Sequence, residues 1–97
     1  VRFTFTTLAK DDLDAIFDYT WITWGEQQAR DYQNALDRTF VLLTENPKMG
    51  VSCNNLVVSM RRFIVGKHTV YYREEANKII IHRVIHQTRQ LSSDMLQ

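Results

Sequence analysis

Several residue types that build familiar sites are scarce in this chain. It has one cysteine, Cys53, which excludes an intramolecular disulfide and any cysteine-based metal cluster and fits a reducing compartment. Its three glycines, Gly25, Gly50 and Gly66, stand too far apart for a loop that cradles phosphate. There is no HExxH, no Asp-rich loop and no His/Cys cluster. His82 and His86 are four apart, which on a strand separates them by about 13 Å, so no metal and no cofactor are expected. No apolar run approaches membrane-spanning length, and no basic segment followed by an apolar stretch follows Val1. The expectation is a cytoplasmic protein without membrane association. Repeats and low-complexity tracts are also missing.

What is present is unevenly spread. The 97 residues carry a formal net charge of +1, but residues 1–46 hold four basic against eight acidic side chains and residues 47–97 hold eight against three. A dipolar molecule with a basic C-terminal half suits an acidic partner. All three histidines and six of the twelve Lys and Arg fall within residues 61–86. With 44% hydrophobic residues over this length, the chain supports one core, and a single domain over 1–97 is expected.

Residues 1–6 alternate Val1, Phe3 and Phe5 with Arg2, Thr4 and Thr6, the period of a half-buried strand. Thr7 then caps a helix whose first turn carries Asp11 and Asp12 and whose apolar face is Ala9, Leu13, Ile16, Phe17 and Trp24. Gly25 ends it. A second helix is predicted over 26–45 with Ala29, Tyr32, Leu36, Phe40 and Leu43 on one stripe, and Asn46-Pro47 stops it. Residues 48–55 read as a loop. Residues 60–65, 68–74 and 78–86 read as three strands joined by turns short enough to force hairpins. The run Ile79-Ile80-Ile81 with Val84 and Ile85 is apolar on both faces, as in a strand covered on each side. A short terminal helix is expected within 88–97. The order is β-α-α-β-β-β, an α+β fold: an N-terminal strand and a helical hairpin packed on a C-terminal three-stranded antiparallel meander.

Two kinds of chemistry fit the basic strands. RNA cleavage through the 2′-hydroxyl needs an acid-base pair and cations for the phosphorane, and His86 with Arg62 and Arg83 supplies candidates. Arg61, Arg62, Lys67, Arg73 and Arg89 interleaved with Phe63, Tyr71 and Tyr72 resemble a basic surface with stacking rings. Neighbours on a strand face opposite ways, so Tyr71 and Tyr72 cannot both lie on the surface, and Arg61 diverges from Arg62. Trp21 and Trp24 are expected in the core.

Ala9-x-x-Asp12-Leu13, Trp24-Gly25, Asn46-Pro47-x-x-Gly50, Arg61-Arg62-Phe63, Gly66-Lys67-His68, Tyr71-Tyr72-Arg73 and Arg83-Val84-Ile85-His86, in this order, resemble the ParE branch of the RelE/ParE toxins. The resemblance spans Thr4 to Asp94. It implies a toxin of a bacterial type II toxin-antitoxin pair that inhibits DNA gyrase by binding, meets DNA only through gyrase, has no catalysis of its own and is neutralised by a ParD-like antitoxin in a hetero-oligomer. The antitoxin is expected to lay an acidic amphipathic segment between helices and sheet or to add a strand at an edge. The alternative is a ribosome-dependent mRNA interferase of the RelE type, with Arg62, Arg83 and His86 in comparable places. Those relatives carry a tyrosine at or after the end of the last strand, whereas Gln87 follows His86 here and no tyrosine follows Tyr72. The gyrase-facing set implied by charge and family is Arg61, Lys67, His68 and Arg89.

Overall fold

The computed structural model describes residues 3–53 and 57–96. The chain runs β1 (Phe3–Phe5), α1 (Thr7–Trp24), α2 (Glu26–Glu45), β2 (Val51–Ser52), β3 (Arg61–Val65), β4 (His68–Glu75), β5 (Lys78–His86) and a 3₁₀ turn (Ser93–Leu96). The sheet order is β1-β5-β4-β3-β2. The expected meander is present, and β1 adds to it in parallel, Phe3 opposite Ile79 and Phe5 opposite Ile81. Residues 1 and 2 of the expected first strand lie outside the described residues. So do residues 54–56, which include the last two of the expected 48–55 loop; that loop also contributes the two-residue strand β2.

The first helix is capped one residue earlier than expected, so Thr7 is its first residue. Thr6 is the N-cap, its hydroxyl accepting from the Ala9 N–H at 3.1 Å. Asp11 and Asp12 therefore fall past the first turn, and Asp12 is free to reach across the fold. Gly25 joins the helices with φ +99°, a region closed to side chains with a Cβ. The α2 stripe is as expected: Ala29, Leu36, Phe40 and Leu43 are buried. At the far hairpin, Ala76 and Asn77 both take positive φ, the conformation of a two-residue type I′ turn.

Two apolar clusters sandwich the sheet. On one face Val70, Tyr72, Ile79, Ile81 and Val84 pack with Ala9, Leu36, Phe40 and Leu43 of the helices. On the other, Tyr71 and Ile85 pack with Cys53, Met60 and Leu91, and Met95 and Leu96 lie against them. Tyr71 and Tyr72 thus diverge as strand alternation requires, yet both are buried because both faces are covered. The alternation of β5 breaks once. Tyr71 pairs Arg83 while Tyr72 pairs Ile81, leaving His82 as the extra residue of a β-bulge. The bulge is what returns Val84, rather than Arg83, to the helix-facing side.

β1 ends at Phe5, so the outer edge of β5 beyond Ile81 needs other partners. The start of α1 supplies them. The Thr6 N–H donates to the Ile81 carbonyl at 3.1 Å, the Thr6 hydroxyl donates to the His82 carbonyl at 2.9 Å, and Asp12 accepts from the Val84 N–H at 2.9 Å. The same carboxylate holds Arg83 in a two-point pair at 2.7 and 2.8 Å, and Arg83 also donates to the Met95 carbonyl. Both side chains are mostly buried, at 13% and 14% exposure.

Both tryptophans depart from the core expectation. Trp24 is 64% exposed and Trp21 41%; Trp21 rests edge-on against Phe17 and beneath the Arg30 guanidinium, 5.8 Å from its ring centre. A helical stripe says which residues share a face, but not how far the opposing surface extends.

Candidate functional site

The candidate residues divide between two ends of the meander. At the end near β2, Arg61 donates to the Gly50 carbonyl at 2.7 Å and to that of Lys48 at 3.4 Å. Tyr72 opposite it accepts from the Gly50 N–H at 2.8 Å and donates to the Pro47 carbonyl at 2.9 Å. Burial raises the Tyr72 hydroxyl pKa, with the Gly50 N–H opposing. A Cβ on Gly50 would meet the Tyr72 hydroxyl at 2.5 Å and the Arg62 carbonyl at 2.7 Å, so the loop closes here only with glycine. These groups are committed to holding the 46–50 loop against the sheet.

At the other end, the Gly66-Lys67 turn joins β3 to β4 under α2. Tyr32 reaches down from α2, and its hydroxyl donates to the Val65 carbonyl at 3.0 Å, accepts from the Lys67 N–H at 3.2 Å and meets His68 Nδ1 at 2.6 Å. A hydroxyl has one proton. With that proton given to Val65, the His68 contact is an Nδ1–H donated to Tyr32, and Nε2 of His68 carries the lone pair. Gly66 has φ +56°, and a Cβ there would strike the Tyr32 ring at 2.7 Å; turn and helix approach through this glycine.

His68 is opposite His86 in the β4–β5 register. The rings stand edge to face, 78° between planes and 5.5 Å between centres. Nδ1 of His86 is held by the Thr88 hydroxyl at 2.9 Å and by the Thr88 N–H at 3.3 Å. Burial lowers the His68 pKa and the neighbouring His86 lowers it further, while Asp12 opposes them; burial likewise raises that of Tyr32. Around the pair, Tyr19, Trp24, Gln28 and Lys67 complete a groove of about 370 Å³. Tyr19, Ile22 and Trp24 are 67%, 85% and 64% exposed, so an apolar shoulder continues from the groove along the tip of the helical hairpin.

The structure brings Lys67, His68 and His86 together, and Gln87 ties to this end through its N–H on the Lys67 carbonyl at 2.8 Å. Arg89 is exposed three residues beyond β5, its N–H on the His86 carbonyl at 2.9 Å. Arg61 does not join them, being at the opposite end of β3. Arg62, Arg83 and His86 are not assembled either. Arg62 pairs with Tyr71 and Tyr71 with Arg83 in one cross-strand row on the face away from the helices, whereas His86 faces the helical hairpin. The guanidinium of Arg83 is occupied by Asp12. Sequence reasoning missed Tyr32 and Trp24 as members of this site and missed the closeness of His68 to His86. The signal that existed was Gly66-Lys67-His68 itself: a two-residue turn places His68 at the start of one strand, where the end of the next must come alongside.

The chain as a whole has relatives among known proteins. The family model described as the ParE toxin of the type II toxin-antitoxin system parDE matches residues 3–91. The chain belongs to the ParE toxin family. Toxin ParE1 of Caulobacter vibrioides is 42% identical over 80 residues, 82% of each chain. Toxin ParE1 of Mycobacterium tuberculosis is 31% identical over 87 residues, 89% of each. Among solved structures, a chain described as the chromosomal ParDE TA system from P. aeruginosa superposes with a TM-score of 0.75 at 20% identity, covering 89% of this chain and 95% of its own. That likeness establishes the α+β fold. Within this ParE member the segments that carried the resemblance acquire physical reasons: Asp12 with Arg83-Val84 closes the sheet edge, Asn46-Pro47-x-x-Gly50 with Arg61 and Tyr72 pins the loop, and Gly66-Lys67-His68 with Tyr32 shapes the groove. No helix among the described residues is long and apolar enough to cross a membrane.

Proposed function

We propose that this ParE-family chain inhibits DNA gyrase by binding to it in the cytoplasm, without catalysis of its own, and is neutralised by a ParD-like antitoxin. The observation that carries the reading is the commitment of Arg83 to Asp12, with Arg62 on the sheet face opposite His86. Acid-base cleavage of RNA requires those groups around one phosphate. Here one cation is spent inside the fold and the others point apart, which favours a binding protein over a nuclease.

The gyrase-facing surface in this reading is the turn end, with Lys67, His68 and Arg89; Arg61 acts by fixing the loop at the far end. The antitoxin segment fits the groove beside them. Its apolar side meets Tyr19 and Trp24, and acidic side chains meet Lys67. A segment seated there covers Lys67 and His68, so neutralisation follows from occlusion. The exposed Ile64 side of β3, beyond the two residues that β2 pairs, offers a strand edge continuous with this end.

Purified protein is expected to block gyrase supercoiling and accumulate cleaved DNA. Normal supercoiling at an excess of the protein would overturn the proposal. Transcript cleavage in a translating extract that disappears in His86→Ala would move the assignment to an mRNA interferase.

A further inference from the structure

His68 and His86 meet as a cross-strand pair at the head of the groove, and the Nδ1 of each is held by a neighbour. Nδ1 of His68 is held by the Tyr32 hydroxyl at 2.6 Å, and Nδ1 of His86 by the Thr88 hydroxyl at 2.9 Å. The Tyr32 contact leaves Nε2 of His68 for a ligand, whereas the Thr88 N–H donates to Nδ1 of His86 at 3.3 Å, so Nε2 of His86 becomes a ligand only when the ring proton moves to Nδ1; both rings line the same groove. Metal-ligating histidines are oriented in this manner, with the far ring nitrogen fixed by a hydrogen bond.

The spacing also fits. With a metal–nitrogen bond of about 2.0–2.1 Å and tetrahedral angles, two imidazoles on one ion have ring centres about 5 Å apart. The observed separation is 5.5 Å. We propose that His68 and His86 form a two-histidine site for a divalent transition ion of the zinc, nickel or copper class. Imidazole donors select these ions over magnesium and calcium, which take oxygen. No group of three His, Cys, Asp or Glu side chains is gathered among the described residues, so the remaining positions on the ion are open to water or to a donor from a bound partner. On binding, the His86 proton moves from Nε2 to Nδ1 and is donated to the Thr88 hydroxyl, and the 3.3 Å bond from the Thr88 N–H is given up. His82, the third histidine, is not part of the site: it occupies the bulge, with Nε2 buried.

The site is independent of the gyrase reading, and its test uses neither gyrase nor antitoxin. Zinc chloride and nickel chloride are titrated by calorimetry into the full chain, purified without a histidine tag, at pH 7.5. One ion is expected to bind per chain, with affinity reduced about tenfold or more in His68→Ala and in His86→Ala. Tyr32→Phe, which removes the Nδ1 partner, is expected to weaken binding by about tenfold, and His82→Ala to leave it unchanged. In parallel, substoichiometric nickel should broaden the imidazole proton resonances of His68 and His86 before those of His82 in the unmutated protein, a readout that needs no variant to fold. Absence of saturable binding to the unmutated chain, broadening centred on His82, or full affinity in both alanine variants would overturn the assignment.

Discussion

The two ends of the meander use similar residues for opposite purposes. Near β2, an arginine, a tyrosine and a glycine are tied to one another and to the 46–50 loop. At the Gly66-Lys67 turn, a tyrosine and a glycine again lock strand to helix, but they leave a lysine, two histidines and a tryptophan facing an open groove. Basic and aromatic side chains on strands are thus poor guides to function by type alone. What separates the ends is whether the polar groups are already consumed by backbone partners.

The strongest way to test the structural side of this contrast is at the sheet edge. Asp12→Ala leaves the buried Arg83 guanidinium with the Met95 carbonyl but no countercharge, and the Val84 N–H without its acceptor, and a loss of about 3–5 kcal/mol is expected in chemical denaturation. Arg62→Ala, exposed at the outer end of the same cross-strand row, should stay within about 0.5 kcal/mol. Equal losses in the two would erase the distinction between Arg83 as a fold residue and Arg62 as a surface one. Tyr72→Phe keeps the ring and removes the hydroxyl between Gly50 and Pro47, and a loss of about 1–3 kcal/mol is expected. At the groove end the effect moves from stability to binding. Trp24→Ala should change the unfolding free energy by no more than about 0.5 kcal/mol yet weaken association with the cognate antitoxin by about 2 kcal/mol, measured by calorimetry or surface binding. Unchanged affinity would remove the groove from the proposed antitoxin site.

The smallest effect is expected at the bulge. The pKa of His82 is lowered, first by burial and then by Arg73, with Glu75 opposing. The unfolded chain takes up this proton first, near the ordinary histidine value of about 6.5. Stability contributed by neutral His82 is therefore present above that pH and lost as pH falls through it toward the lower folded value. The melting temperature of the unmutated protein should drop more between pH 7.5 and 5.5 than that of His82→Phe; parallel curves would show that the bulge histidine does not couple to folding.

Much of the fold was legible because it rests on period. The helical stripe through Leu36, Phe40 and Leu43 and the strand alternation around Phe63 and Val70 are local patterns, and the turns at Gly66 and Ala76-Asn77 are short enough to fix the pairing. What escaped is set by register between strands. A bulge at His82 leaves no trace in hydrophobicity, since Ile81 and Val84 are apolar in either arrangement. The two-residue β2 is shorter than any periodic signal. Asp12 looked like a helix-dipole residue because its true partners are 71 and 72 positions away. The candidate site was half legible: Lys67 and His68 stood out by charge, while Trp24 was assigned to the core and the His68–His86 contact needed the hairpin register to appear.

The parallel pairing of β1 with β5, sealed by Asp12 on Arg83, joins nearly the first described residues to nearly the last. During synthesis, at about 5–20 residues per second, the N-terminal strand and the helical hairpin emerge with no sheet to receive them. The register that places His68 against His86 arises only when β5 has left the ribosome, and Arg83 finds the Met95 carbonyl only when the tail has followed. A nascent chain of this design has no finished groove, and a prematurely terminated one never acquires it. Competence to engage a target through the groove is thereby deferred until β5 has been synthesised.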